Sequence, residues 1–580
     1  MNDIHRQWAK SFRRPLALAR RPRVAAAAAA AAVLTAVLAA GGIAQAQAGG
    51  PVPSGSAGSQ WAFAGQNVDD NHYQPAEHQI SPANVHTLAP KWTLTTNGDV
   101  TATPTVYGGM VYAPDLGGNV GPTTPPSAQG STLWAVDARS GHVAWSHSIA
   151  DYTGVTGDQS RVSPAAYGNE LITGDGEIFG PNTGGAHVFA VNRLTGKPIW
   201  DTKVDSFAGS VITGSPVVYN GVAYIGISSR EEAMAQQSGY QCCVFRGAFV
   251  ALNASTGQIL WKTYLVPSNN GNSDVNLPGY YSGNPVWGST PVVDPARGLL
   301  YLGTGNNYTV PPGVCTMPRQ TGCTQPVAGD YVDSIMALNL RTGAVAWADR
   351  TLSSDSFTLT CTEPGVTCGP DYDIGTGPNL LTFRNPATGR PEQLLGVGAK
   401  NGVYTAVDPA TGKLAWTTQV GPGGTTSATL GGIEWGSAAD GQRIYVAEAD
   451  SGHVSYTLGG SGQYAGQTTT GGAWTALDPA TGKILWQTPD PQAAVDLGFV
   501  SGANGVVYGG SNAGTGDNMY ALDAATGQLL WRFASGGAVV SGAAIAGGSV
   551  YWGSGYYFAT CPSGATCGSN NKLYGFTVRR

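Results

Sequence analysis

The feature that most constrains this chain is a unit that recurs seven times along it. Each copy is an apolar strand carrying Asp or Asn, then x-x-(Ser/Thr)-Gly, then a strand ending in Trp. The copies run from Leu133 to Trp145, Val188 to Trp200, Phe249 to Trp261, Ile335 to Trp347, Val403 to Trp416, Trp474 to Trp486 and Met519 to Trp531. The Asp/Asn-x-x-Thr-Gly element supplies turn chemistry, with Gly taking the positive-φ position. Each copy is therefore a hairpin whose Trp is available to pack between neighbours. A second hairpin leads each copy, as in the stretch from Ser215 to Tyr224, where Asn220-Gly221 is a strong two-residue turn signal. Two hairpins make a four-stranded blade. Eight leading hairpins begin near Thr103, Ser163, Ser215, Thr290, Glu392, Ile433, Gly498 and Ser541.

The eighth unit lacks a full Trp hairpin, because the chain ends in Leu573-Tyr574-Gly575-Phe576-Thr577-Val578. Lys91-Trp92-Thr93-Leu94, ahead of the first blade, looks like an outer strand without an upstream partner. The expected fold is all-β: an eight-bladed β-propeller with Trp-docking repeats, its ring closed by pairing of the N- and C-terminal strands, which removes exposed sheet edges. A composition of 84 Gly, 15 Trp and 25 Tyr with 11% charged residues suits many short strands and tight turns. Long loops, notably residues 229–245 and 305–333, are where a rigid ring places its sites.

Basic residues from Arg6 to Arg23 precede an apolar run from Val24 to about Ala40 and a small-residue stretch ending at Ala48. That order predicts an export signal over residues 1–48 and a single propeller domain over 49–580. The run is mostly Ala and at the lower end of spanning length, so stable membrane insertion is not expected. The expected location is periplasmic or secreted. Without residues 1–48 the chain keeps 23 basic and 35 acidic residues, a net charge of −12. Nucleic acid is thus an improbable partner, whereas a small basic electron carrier would be attracted. The cysteines fall into local sets, Cys242 with Cys243, Cys315 with Cys323, Cys361 with Cys368 and Cys561 with Cys567, and read as disulfides in an exported chain. No Cys-x-x-Cys-His stands in the chain, so no covalent haem is built in. No His-Glu-x-x-His pair and no nucleophile elbow is visible, which removes zinc-protease and hydrolase readings.

The stretch from Trp61 to Trp92, and Ser228-Ser229-Arg230-Glu231-Glu232 followed by Cys242-Cys243-Val244-Phe245-Arg246-Gly247, resemble the PQQ quinoprotein alcohol dehydrogenases, most closely those acting on polyvinyl alcohol. The resemblance covers nearly all of the chain after residue 48. It implies PQQ and calcium as cofactors and the oxidation of an alcohol, secondary or polymeric, to a ketone. Electrons would pass to a soluble cytochrome c or similar acceptor. PQQ is a flat quinone with three carboxylates, so its site needs an aromatic floor, partners for carboxylates and a hard cation at the reactive carbonyl.

By that resemblance Trp287 is the floor under PQQ and Asn306 a calcium ligand. Glu232 is the expected carboxylate ligand, with Glu231 the alternative one residue away. Gly369-Pro370-Asp371-Tyr372-Asp373 resembles the segment carrying the catalytic base, which makes Asp373 the base and a metal ligand, with Asp371 as runner-up. Relatives usually have Trp where this chain has Tyr372. Lys400 stands where relatives place a cation near the quinone oxygens, and its charge would stabilise the developing anion. Arg161 and Thr213, each three residues before a Pro, match positions that grip PQQ carboxylates. Cys242-Cys243 would cover the second face of the quinone, although the pair stands one blade later than in most relatives. The rival readings are a non-enzymatic propeller scaffold of the outer-membrane assembly type, which needs none of these polar residues, and a PQQ dehydrogenase for sugars or primary alcohols.

Overall fold

The computed structural model describes residues 60–118, 130–176, 184–288, 290–314, 327–352, 354–362, 368–424, 430–556 and 568–579. They form eight four-stranded antiparallel blades arranged as a β-propeller. The third blade is typical: Val217–Tyr219, Val222–Ser229, Ala248–Asn253 and Ile259–Tyr264 pair in sequence order, the last two joined by the Asn253-x-x-Thr256-Gly257 turn. In the eighth blade Ala544–Ala546, Ser549–Ser554 and Lys572–Val578 are completed by Leu88–Thr95, which pairs antiparallel with Lys572–Val578. The fifth leading hairpin spans Asn379–Arg384 and Pro391–Gly398, upstream of the start expected near Glu392. Its turn, Asn385-Pro386-Ala387-Thr388-Gly389, is the repeat's own turn without a Trp behind it, so a search anchored on Trp passes over it.

The repeated Trp docks each blade to the next. Trp145 donates its indole N–H to Arg193 O at 3.0 Å, Trp200 to Ala254 O at 2.7 Å, Trp416 to Pro479 O at 3.2 Å, Trp531 to Leu88 O at 2.9 Å and Trp92 to Ala138 O at 3.1 Å. Every acceptor but Leu88 lies in or beside the following blade's hairpin turn, and the turn Gly makes the approach possible. Gly482 has φ +71°, and a Cβ there would lie 2.4 Å from Trp416 Cε3. Gly482→Ala therefore meets both a left-handed backbone and an overpacked indole. The expected cost is about 2–4 kcal/mol, read as an earlier midpoint in denaturant unfolding.

A second device precedes the first blade. Residues 61–74 run past the innermost strands and hydrogen-bond to seven of the eight blades. Trp61 pairs with Val106, Ala62 with Ala166, Val68 with Val293, Asp69 with Leu380, Asn71 with Ala439, His72 with Gly502, and Gln74 with Ile545. Buried Trp61 anchors one end of this segment, while a buried His72–Asp70 pair stacks on Phe499 further along. Residues 1–48, the expected export signal, lie outside the described residues. Among the described residues no helix is long and apolar enough to cross a membrane.

Candidate active site

The functional side chains stand at strand ends and in the long loops between leading hairpins. Trp287 precedes Val292–Asp294, Asn306 follows Leu299–Gly303, Asp371 and Asp373 precede Asn379–Arg384, and Lys400 follows Pro391–Gly398 directly. They meet around the Lys400 ammonium, whose Nζ lies 2.9 Å from Asp371 Oδ1 and 3.1 Å from Asp373 Oδ2. Asp373 is fully engaged: its Oδ2 also accepts the Trp287 indole N–H at 2.9 Å, and its Oδ1 accepts the Asn306 backbone N–H at 2.5 Å. Lys400 sits 5.0 Å from the Trp287 ring centroid. Asp371, at φ +61°, keeps Oδ2 buried without a hydrogen-bond partner among the described residues, as does Asn306 at Oδ1. Polar atoms left so in an interior mark a site that expects a partner.

The loop holding the acid pair is braced from two sides. Asp355 accepts the backbone N–H of Tyr372 at 2.8 Å and of Asp371 at 3.3 Å. The disulfide Cys361–Cys368 staples the approach to it. Cys242 and Cys243 are also joined. Cys315, Cys323, Cys561 and Cys567 lie outside the described residues.

The two neighbouring glutamates do different work. Glu231, fully buried at the start of a short helix, Glu231–Met234, accepts hydrogen bonds from Tyr240 Oη at 2.7 Å and from the backbone N–H groups of Val244 and Phe245 at 2.7 and 2.8 Å. It thereby fixes the backbone immediately after Cys242-Cys243. Glu232 instead faces the acid pair: burial raises its pKa to about 7, with Lys400 opposing and Asp373 and Asp355 adding to the rise. Thr213 donates its hydroxyl to Trp287 O at 2.7 Å. Arg161 stacks over Trp435 at 5.3 Å, and both, with Thr213 and Gly288, line a cavity of about 20 Å³. The structure thus draws Trp287, Asn306, Asp371, Asp373 and Lys400 into direct contact, with Glu232 close by, and sets Arg161 and Thr213 on an adjoining wall.

Three further acids belong to this surround and were not singled out in the sequence. Asp333 is fully buried with neither oxygen hydrogen-bonded among the described residues, and burial, then Asp355, Asp373 and Asp371, hold its pKa well above normal. Asp355 is raised to about 7, chiefly by burial, and Glu434 to about 8 by burial, with Lys400 opposing. One signal for Glu434 was present: Glu434-Trp435-Gly436-Ser437 repeats Val286-Trp287-Gly288-Ser289, an off-repeat Trp-Gly ahead of a leading hairpin. Burial by itself lowers the Lys400 pKa, but Asp371, Asp373, Glu434 and Glu232 together outweigh it and hold the pKa well above the ordinary lysine value.

These shifts have a thermodynamic sign. Glu232, Asp355 and Glu434 bind protons more tightly folded than unfolded, so their contribution is fully present below the unfolded carboxyl pKa and is lost as pH rises towards about 8. The ligand-free protein should melt highest near about pH 5 and several degrees lower near about pH 8, as thermal scans across that range would show.

The family profile described as the glucose/ethanol/alcohol dehydrogenase β-propeller domain, a PQQ family, matches residues 61–422, which hold every residue of this constellation except Glu434 and Trp435. The chain belongs to the PQQ dehydrogenase family. A second profile, for the outer membrane protein assembly factor BamB, matches residues 469–556. Among PQQ relatives, a polyvinylalcohol dehydrogenase from Pseudomonas sp is 31% identical over 78% of this chain and 65% of its own length. Another from Sphingopyxis sp. (strain 113P3) is 33% identical over 75% of this chain and 61% of its own length. The chain thus spans somewhat under two thirds of these relatives. The fold of a quinohemoprotein alcohol dehydrogenase from Comamonas testosteroni superposes with a TM-score of 0.64 at 19% identity, covering 90% of this chain and 82% of that one.

Proposed function

We propose that this PQQ-family propeller oxidises secondary or polymeric alcohols to ketones after export to the periplasm or beyond, with calcium beside the quinone and a cytochrome c-type carrier as electron acceptor. The observation that carries this reading is the buried Lys400 ammonium held between Asp371 and Asp373, with Trp287 and Asn306 fastened to the second acid. A propeller that serves only as a scaffold has no use for such a charge cluster, which costs several kcal/mol in desolvation. The polyvinylalcohol dehydrogenases among its relatives favour a secondary-alcohol substrate over a sugar.

The residues fit both cofactors. Asn306 Oδ1 is an unpartnered buried oxygen, and Glu232 and Asp373 add carboxylates beside it, an all-oxygen set of the kind calcium prefers. Among the described residues no three His, Cys, Asp or Glu side chains already stand as a closed metal cluster, and Glu232, Asp373 and Asn306 are the residues that would hold the ion. Trp287 offers the aromatic floor, Cys242-Cys243 the opposite face, and Arg161 and Thr213 partners for the carboxylates. PQQ, when bound, supplies the electrophilic quinone carbonyl that accepts the carbinol hydride, and calcium polarises it.

The remaining chemistry falls to the chain. A base must take the hydroxyl proton, and the hydrogen-bond pattern favours Asp371 over the Asp373 expected from sequence. Asp371 Oδ2 is open, whereas both oxygens of Asp373 already accept donors. Lys400 donates to both acids, its charge opposing the strong upward shift that burial gives the Asp371 pKa, and sets positive charge beside the substrate oxygen. Dye reduction by the loaded enzyme tests the reading: secondary alcohols should be turned over faster than glucose, and chelation with EDTA should remove the activity until calcium is restored. Preference for glucose would instead support a sugar dehydrogenase. With a basic cytochrome c as acceptor, the acidic chain predicts a rate that falls steeply as salt rises.

A further inference from the structure

The connection between the second and third strands of a blade repeatedly carries the candidate site. In the third blade it holds Glu231, Glu232 and Cys242-Cys243, in the fourth Asn306, and in the fifth Lys400. In the sixth blade the same connection, between Ile444–Glu448 and Ala473–Leu477, carries a hairpin of its own, Tyr456–Thr457 paired with Thr468–Thr469. The blade does not need that hairpin, because its four strands already pair in order without it. These connections all leave the same ends of the antiparallel strands, so the hairpin stands on the Lys400 face of the ring. Gln419, the last residue of the fifth blade's outer strand, ends on that face too, paired with Val403 just after Lys400.

Between the hairpin and the fifth blade lies a cavity of about 420 Å³, walled by residues 419–422 on one side and by residues 454–457 with Ile484 on the other. The first wall is fastened to the turn that holds Lys400. Val420 N–H donates to Gly402 O at 2.9 Å, Gln419 Nε2 to Asn401 O at 2.7 Å, and Gly424 N–H to Lys400 O at 2.8 Å. Gln487, 2% exposed, ties the fifth blade to the segment of the hairpin: its Nε2 donates to Val420 O at 2.7 Å and its Oε1 accepts the Gly459 N–H at 2.6 Å. The cavity is thus preformed, and its size lies in the range of about 300–1,000 Å³ usual for ligand pockets. No described lining residue carries a charge, although the chain as a whole is acidic. Val454, 45% exposed, offers apolar surface with Pro422 and Ile484, while exposed Gln419, Ser455 and Thr457 add amide and hydroxyl groups. Such a lining suits a neutral chain that alternates methylene and hydroxyl-bearing carbons, since both of its faces find partners and no charge is desolvated. A basic electron carrier would instead call for acids there.

We propose that this cavity is a remote subsite for a polymeric substrate, a neutral poly-1,3-diol, which it holds while another stretch of the same polymer reaches the Lys400 site. The inference rests on the function proposed above and commits it to the polymeric alcohol. Holding a second stretch makes the arrival of the next hydroxyl intramolecular. Effective concentration, rather than a new contact at the reacting carbon, then lowers KM for the polymer.

The test fills the cavity with Val454→Trp and, separately, with Thr457→Trp; both positions are exposed, so neither change enters the core. Isothermal titration of polyvinyl alcohol into the full unloaded chain should show binding that each variant weakens about tenfold. In the PQQ- and calcium-loaded enzyme, KM for polyvinyl alcohol should rise about tenfold relative to KM for pentane-2,4-diol, a two-unit fragment that occupies one site at a time. Polymer binding and KM that stay at wild-type values in both variants, or a KM for the diol that rises as far as that for the polymer, would overturn the subsite. So would a Val454→Trp enzyme slowed only when cytochrome c is the acceptor, which would assign the surface to the electron carrier. A loaded wild type that oxidises neither alcohol sinks the proposed function and the subsite with it. One that oxidises the diol but binds no polymer sinks the subsite alone.

Discussion

Lys400→Met should lower kcat by about 10³-fold, the loss expected when a preorganised charge beside a developing anion is removed. It should also destabilise the protein by about 3–5 kcal/mol, the range seen when one partner of a buried ion pair is deleted. The size follows from the surroundings: Lys400 is 5% exposed, bonds to both Asp371 and Asp373, and is the shared counter-charge for Glu434 and Glu232. Without it those carboxyls must take up protons or repel one another. The stability defect should therefore shrink at acid pH, where protonation is free, and grow at neutral pH and above. Thermal unfolding of variant and wild type at two pH values would show it. A variant equally stable at both would mean that Lys400 is not the balancing charge.

Asp371→Asn and Asp373→Asn should separate the two acids. The first removes the open oxygen at Asp371 Oδ2, and its expected effect is a fall in kcat of about 10³-fold or more with calcium and PQQ still bound. The second disturbs the acceptor of three donors, Trp287, Asn306 and Lys400. Its turnover should fall as well, but weakened calcium and PQQ binding should accompany the loss. Binding titrations beside turnover decide between the roles. If Asp373→Asn binds both cofactors normally and alone abolishes turnover, the base is Asp373, as the sequence resemblance implies.

The architecture was legible because its determinants are local. A turn sequence and a Trp repeated seven times specify one hairpin each, and Trp92 in its unpartnered strand pointed to the other end of the chain. The same locality explains why the fifth leading hairpin was misplaced: its turn has the right residues but no Trp to mark it. Trp287, Asn306, Asp373 and Lys400 were reachable through family resemblance. The acids around them were less so. Asp333 ends the long loop inside the fourth blade, and Asp355 and Glu434 stand in the segments that join the fourth blade to the fifth and the fifth to the sixth, so only the folded ring brings them within reach of Lys400. Choosing between Glu231 and Glu232, or between Asp371 and Asp373, depends on which oxygens already hold donors. No spacing in the chain encodes that. The segment 61–74 shows the same limit, since its bonds to seven blades join residues hundreds of positions apart.

The central claim is that these residues form a PQQ site, and its most direct test is a titration of PQQ into the calcium-treated protein, followed by Trp fluorescence and cofactor absorbance. The account predicts saturation at one PQQ per chain, quenching that Trp287→Phe diminishes, and binding that EDTA weakens. A protein that shows no saturable PQQ binding with calcium present would contradict it.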